Sequence, residues 1–292
     1  MGKDNFKPLT YFREIGELRC GARTLADHPQ RKIEYLWELI INLKEDLEED
    51  LRVLGSRVKG QVDKSAVLYA PENMLIEEGA EIEACAVLDA RSGPIYIGKN
   101  TVIRPQSYLR GPLSIGPACR IGGEVTHSIF HGQANKAHYG FIGHSYIGEW
   151  VNLGAGTTNS NLKNNYGTVK MLVNGKEVDT GEQFLGCVIG DYAKTGIGTL
   201  INTGTVIGLG ANVLGGKVTP KNIPDFQWDE KNKYRLEDFL KAAAAMMGRR
   251  GQKLTADKID RIKEIYSSEP ATKPVPDRSG RNRSGRRGFL KM

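Results

Sequence analysis

No run of about 18 apolar residues occurs anywhere in the 292-residue chain, so no membrane-spanning helix is encoded. The opening residues, MGKDNFKPLT, lack the apolar core of a secretion signal, and the expected location is the cytoplasm. Cysteine is scarce: Cys20, Cys85, Cys119 and Cys187 are scattered, with no CxxC pair. That spacing argues against a disulfide framework and for reduced, mostly buried thiols. Aromatic residues make up only 8% of the chain, which disfavours a bundle of thick helices. The formal charge of +7 is also less than it looks. Lys273, Arg278, Arg281, Arg283, Arg286, Arg287 and Lys291 face the single acid Asp277 in the last twenty residues, so the rest is almost neutral. A basic body face for nucleic acid is therefore not expected.

What is abundant is glycine, 35 residues, and it recurs with a rhythm. Ile97, Ile103, Leu109, Ile115 and Ile121 are spaced by six, as are Ile189, Thr195, Ile201, Ile207 and Val213. Weaker matches at Ile76, Ile82 and Leu88 extend the series upstream. Six is neither the helical period of 3.6 nor the strand period of two. It suits a coil with three flat faces, each burying one aliphatic side chain before it turns. Glycine and small residues near the corners keep the wall thin. Stacked coils form a parallel β-helix prism with a column of Ile, Leu and Val inside. Two runs of five in phase disfavour separate strands of a sandwich.

The rhythm fails over 127–141 and again over 159–186. The second gap holds VKMLVNGKEVDTG, where Asn174-Gly175 between β-prone residues predicts a hairpin with a type I′ turn. Functional loops are expected at such departures. Residues 1–54 include an amphipathic helix over Ile33–Leu54. The prism is expected over 55–220 with its inserted loop at 159–186. Two helices follow within 221–267, RLEDFLKAAAAMMGRR and ADKIDRIKEIY, and are expected to cover the open end of the prism. The Pro/Ser/Gly/Arg-rich stretch 268–292 is expected to be a disordered basic tail.

Four segments carry a resemblance: IGGEV (121–125), NKAHYGFIG (135–143), IGEWVNLGAGTTNSN (147–161) and NLKNNYGTVK (161–170). They resemble the acetyltransferase half of the bifunctional N-acetylglucosamine-1-phosphate uridylyltransferase/glucosamine-1-phosphate acetyltransferases, an alternative bacterial branch in particular. The resemblance implies a mainly β fold, a left-handed parallel β-helix of hexapeptide repeats, with an N-terminal helix and a C-terminal helical cap. It also implies acetyl-CoA as co-substrate, an amino-sugar phosphate as acceptor, and a homotrimer with active sites between neighbouring prisms. FKPLTYFREIGELRCGARTL resembles the opening of that branch's nucleotidyltransferase domain, whose remainder is not seen before the helix at 33–54. Uridylyl transfer is therefore expected to be absent, leaving a separate sugar nucleotidyltransferase as a conceivable partner.

N-acetylation of an amino sugar needs a base near neutrality, hydrogen-bond donors for the developing oxyanion, and cations for the phosphate. His138 falls where the family's catalytic histidine falls, and Glu124 matches a family acid near it. As ordinary residues, they read as a structural histidine and a solvated edge carboxylate. Asn152 and Asn161 match substrate-binding positions, and an amide offers both donors and an acceptor. Ala155 matches a position where the pantetheine arm runs along the wall, and Gly196 and Gly215 are candidates to do likewise on later coils. The family's tyrosine is Phe141 here, and a family lysine is replaced by Thr126 or His127. Lys136, displaced by one position, is the candidate to compensate, with Arg110 and Arg104 as further phosphate ligands.

Three rival readings compete with this one. A β-helix metal hydratase needs three imidazoles on zinc, and His127, His131, His138 and His144 lack its spacing. A non-catalytic trimeric scaffold fits the loss of tyrosine at 141 but not the retention of Glu124, His138, Asn152 and Asn161 together. Nucleic-acid binding rests on the basic tail alone.

Overall fold

The computed structural model describes residues 3–229 and 232–268; the tail expected over 268–292 lies outside them, apart from Ser268. Its centre is a β-solenoid in which every coil-to-coil pairing is parallel. The first face stacks Met74–Ile76, Ile95–Ile97, Leu113–Ile115, Ile129–Phe130, Tyr146–Ile147, Cys187–Ile189 and Thr205–Ile207. The second runs from Gln61–Val62 through Arg120–Ile121, Asn135–Lys136 and Asn152–Leu153 to Asn212–Val213. The third passes from Val67–Tyr69 through Tyr108–Arg110, Glu124–Thr126 and Phe141–Gly143, and Thr158–Asn159 and Leu200–Ile201 pair below. Inward side chains from all three faces form one continuous aliphatic core. Corners are turned by residues in the left-handed region, among them Asn100, Ala118, Gln133, Trp150, Tyr192 and Phe226.

The gap in rhythm at 127–141 is a shortened coil rather than an excursion. Phe130 stacks on Ile115 and Lys136 on Ile121, so each lies fifteen positions on instead of eighteen. The gap at 159–186 is a true excursion. Leu162 and Phe184 bridge its neck, and Lys170–Val173 pairs antiparallel with Lys176–Asp179. Asn174 and Gly175 both have positive φ, 48° and 76°, as a type I′ turn requires.

The outside of the first face is as buried as the inside. Leu75, Tyr96, Ile129, Tyr146 and Val188 alternate with the inward residues and pack against Phe6, Leu9, Leu18, Trp37, Leu39, Ile40, Leu43 and Leu47. The N-terminal segment thus covers this face. Its helix is interrupted: α1 is Trp37–Ile41 and α2 is Leu43–Leu54, with Asn42 between them donating its side-chain amide to the Glu38 carbonyl at 2.7 Å. Arg13 ties the segment to the solenoid through Asp191 at 2.8 Å and Glu149 at 3.2 Å.

The C-terminal helices, α3 (Leu236–Gly248) and α4 (Ala256–Ser268), do not close the open end as the sequence suggested. Phe239, Ala243 and Met247 of α3 pack on Trp150, Tyr192, Leu209 and Phe226, which project from one corner on successive coils. Arg250, just past α3, reaches the carbonyl of Ala118, higher on the same corner. At about 1.5 Å per residue, thirteen residues run some 20 Å along that edge. The reason is chemical: the aromatic corner offers α3 an apolar stripe. The end of the solenoid keeps an open cavity of about 580 Å³ lined by Val213, Leu214, Val218 and Ile223. Among the described residues, no helix is long and apolar enough to cross a membrane.

Candidate active site

His138 lies in the bend between the second and third faces, and its side chain is exposed. Glu124 opens the strand on the adjoining coil, also exposed, and its amide donates to the Gly140 carbonyl at 3.1 Å. The two residues therefore share a corner on neighbouring coils. They form no side-chain hydrogen bond with each other among the described contacts. Along the third face, Glu124 stands in register with Tyr108 on one side and Phe141 on the other. Arg110 is exposed one rung along, in register with Thr126, which in turn faces Gly143. Arg104 is committed elsewhere, paired with Glu83 at 2.8 Å.

Below His138, small residues recur at the same corner. Gly156 donates its amide to the Tyr139 carbonyl at 3.0 Å, and Gly198 donates to the carbonyl of Ala155 at 2.8 Å. A Cβ on Gly196 would stand 2.9 Å from the Gly215 amide nitrogen, so adjacent coils approach here as only glycine permits. Ala155, Gly196 and Gly215 thus form a thin ladder of wall beneath the histidine. Ile197 and Leu214, beside these glycines, are exposed.

Two residues lie elsewhere than the acceptor site the sequence suggested. Lys136 is expected from the sequence to stand in for a family lysine in binding substrate, but its side chain enters the interior in register with Ile121 and is only 2% exposed. Its Nζ donates to the carbonyls of Gly122 at 2.7 Å and His138 at 2.8 Å, so it has no reach to a bound phosphate. Burial, opposed by the Glu124 carboxylate, pulls its pKa down to about 8. Asn152 sits on the second face, where its Oδ1 accepts from Asn135 Nδ2 at 2.7 Å, next to Lys194. It therefore lies on a different face from Glu124 and Arg110. Asn161, by contrast, starts the excursion beside Gly143 on the third face; a Cβ on Gly143 would crowd its Nδ2 at 3.0 Å.

The four histidines at issue do not converge. His127 and His144 stack, His131 Nδ1 meets the Tyr146 hydroxyl at 3.0 Å under the N-terminal segment, and His138 stands at another corner. Among the described residues, no group of three His, Cys, Asp or Glu side chains is arranged to hold a metal ion.

No family model matches the chain. A bifunctional sugar-1-phosphate nucleotidylyltransferase/acetyltransferase of Sulfurisphaera tokodaii is 37% identical over 153 residues, covering 51% of this chain and 37% of that protein. Over about half its length, the chain is thus similar to a nucleotidyltransferase/acetyltransferase protein. The bifunctional protein GlmU of Synechococcus elongatus is 30% identical over 155 residues, 52% of this chain and 29% of its own length. The chain thus spans much less than half the length of the relatives it matches. Among solved structures, the N-acyltransferase AntD of Bacillus cereus, in complex with dTDP and 3-hydroxybutyryl-CoA, is 16% identical with a TM-score of 0.30, covering 70% of this chain and 97% of that one.

Tyr139 also stands at this corner, and the sequence reading did not single it out. It is 70% exposed beside His138, and a Cβ on Gly156 would sit 3.0 Å from its hydroxyl. The sequence offers His127 and His144 as members of a histidine cluster, and His127 also as a replacement for a family lysine. Their pairing depends on two corners of consecutive coils, which no spacing rule reveals.

Proposed function

We propose that this chain is an acetyl-CoA-dependent N-acetyltransferase acting on the amine of an amino-sugar 1-phosphate such as glucosamine 1-phosphate, in nucleotide-sugar precursor synthesis. The observation that carries this reading is an exposed His138 above the small-residue ladder of Ala155, Gly196 and Gly215 in the solenoid wall. His138 is assigned as the general base. It takes the proton lost by the attacking amine as nitrogen bonds to the thioester carbonyl carbon; the C–S bond then breaks, and the departing sulfur takes that proton from the imidazolium to leave as the CoA thiol. Glu124 holds the incoming ammonium or orients the imidazole, and Arg110 takes the phosphate. Asn161 binds the acceptor. Asn152, on the second face, is assigned to the site of a neighbouring copy, which fits a homotrimer with sites between prisms. Residues 3–54 are assigned no nucleotidyl transfer; their apolar side chains are engaged in covering the first face.

The test is thiol release from acetyl-CoA with glucosamine 1-phosphate, comparing wild type with His138→Ala. Loss of the general base should cost about 10²–10⁴-fold in kcat. An inert wild type across amino-sugar phosphates, or an unchanged variant, overturns the assignment. Phe141 at the family tyrosine position favours a second reading, a trimeric scaffold that works beside a separate sugar nucleotidyltransferase; inert protein that still sediments as a trimer would support it.

A further inference from the structure

Two imidazoles outside the proposed chemistry connect the N-terminal segment to Asn161. His127 and His144 stack with centroids 4.4 Å apart and planes within 20°. Phe184, at the far end of the excursion, also lies against His144, at 5.6 Å. His127 Nε2 is 2.9 Å from the carbonyl of Ile40 in α1, and Asn161 Nδ2 is 2.8 Å from His144 Nδ1. A carbonyl only accepts, so His127 carries its proton on Nε2. An amide nitrogen only donates, so His144 Nδ1 is the bare acceptor and its proton is on Nε2. Burial holds both rings neutral, His144 down to about 3 with help from His127 and Arg110.

The consequence falls on Asn161. Its nitrogen is bound to His144, so its Oδ1, which none of the described contacts engages, is left to accept. The lack of a side chain on Gly143 leaves room for this amide and for the Phe141 ring. We propose that Ile40, His127 and His144 form a positioning relay that holds Asn161 with its side-chain oxygen toward a donor group of the acceptor substrate, an amine or a sugar hydroxyl. The N-terminal segment is then part of the acceptor site, acting through two rings. This rests on the acyltransferase reading for Asn161's role, while the relay itself rests on geometry alone.

Four variants and an NMR signature test it. His144→Phe keeps a ring in the stack but removes the acceptor, and should raise the KM for glucosamine 1-phosphate about tenfold, the loss of one hydrogen bond, with the KM for acetyl-CoA within about twofold. His144→Gln, whose side-chain oxygen accepts from Asn161, should recover most of it. Unchanged constants in His144→Phe, equal rises in both KM values, or no recovery in the Gln variant overturn the relay. Unchanged constants in His127→Phe, which keeps a ring but drops the bond to Ile40, overturn its link to the N-terminal segment. Independently of turnover, nitrogen NMR of histidine-labelled protein should show His144 with Nδ1 unprotonated and hydrogen-bonded, a signature lost in Asn161→Ala. Its absence in the wild type overturns the relay, whereas an intact signature in an inert wild type overturns the acyltransferase reading and leaves the relay standing.

Discussion

Lys136 occupies a position that every rule of the repeat gives to an aliphatic residue, and its replacement by Met makes a sharp test. At neutral pH its ammonium is held inside the solenoid with two carbonyl partners. Its pKa falls from 10.5 to about 8, which corresponds to about 3 kcal/mol of unfavourable charge burial. Met removes that cost but leaves the Gly122 and His138 carbonyls without a donor, at about 1–3 kcal/mol each. Near pH 7 the terms largely offset, so a single stability measurement decides little. The pH dependence is decisive. Between pH 8 and the unfolded value of 10.5, the unfolded chain keeps a proton that the folded chain has shed, so wild-type stability rises with pH across that window. The Met variant has no such group. Urea unfolding of both proteins at fixed concentration should therefore give a difference that is flat below pH 8. Above it, the difference should grow by about 3 kcal/mol in the wild type's favour. Parallel curves over the whole range would refute the buried, charged lysine.

Arg13→Met strands Asp191, whose side chain is only 1% exposed, and should destabilise the protein by about 3–5 kcal/mol in urea; a change under about 1 kcal/mol would contradict the buried pairing. Gly210 has φ of 63°, and a Cβ there would lie 2.5 Å from the Phe239 ring. Gly210→Ala should cost about 1–3 kcal/mol and accelerate amide exchange in α3, and unaltered exchange would show that the helix is not held at this corner. In native protein a maleimide should label Cys85 alone, because Cys20, Cys119 and Cys187 are buried and burial pushes the Cys119 and Cys187 thiols up to about 12; fast labelling of a second thiol would contradict that packing.

The solenoid was legible because each face must bury one side chain per coil, and that demand repeats along the chain. Where the demand is met by an unexpected residue, reading failed. Lys136 and Asn159 point inward, one bonded to carbonyls of its own corner, the other exchanging hydrogen bonds with both the amide and carbonyl of Gly143 at 2.8 and 2.9 Å. A lysine in a repeat looks like a surface residue until the register is known. The helix over 33–54 was anticipated, but its break at Asn42 comes from a side-chain hydrogen bond that no periodicity carries. The apolar runs MLI, IYI and CVI are buried on both sides, and nothing in the six-residue spacing says which segment covers their outer side.

By itself the sequence determined the coil: the spacing of Ile, Leu and Val sets which side chains face inward, and that is a local property of each strand and turn. It also marked the corner where His138 stands. The tertiary structure alone decided what covers the walls and what meets at the corners. Packing of the N-terminal segment on one face, of α3 along an edge, and of His127 on His144 depends on residues far apart in sequence, and their contacts form only when complementary surfaces come together.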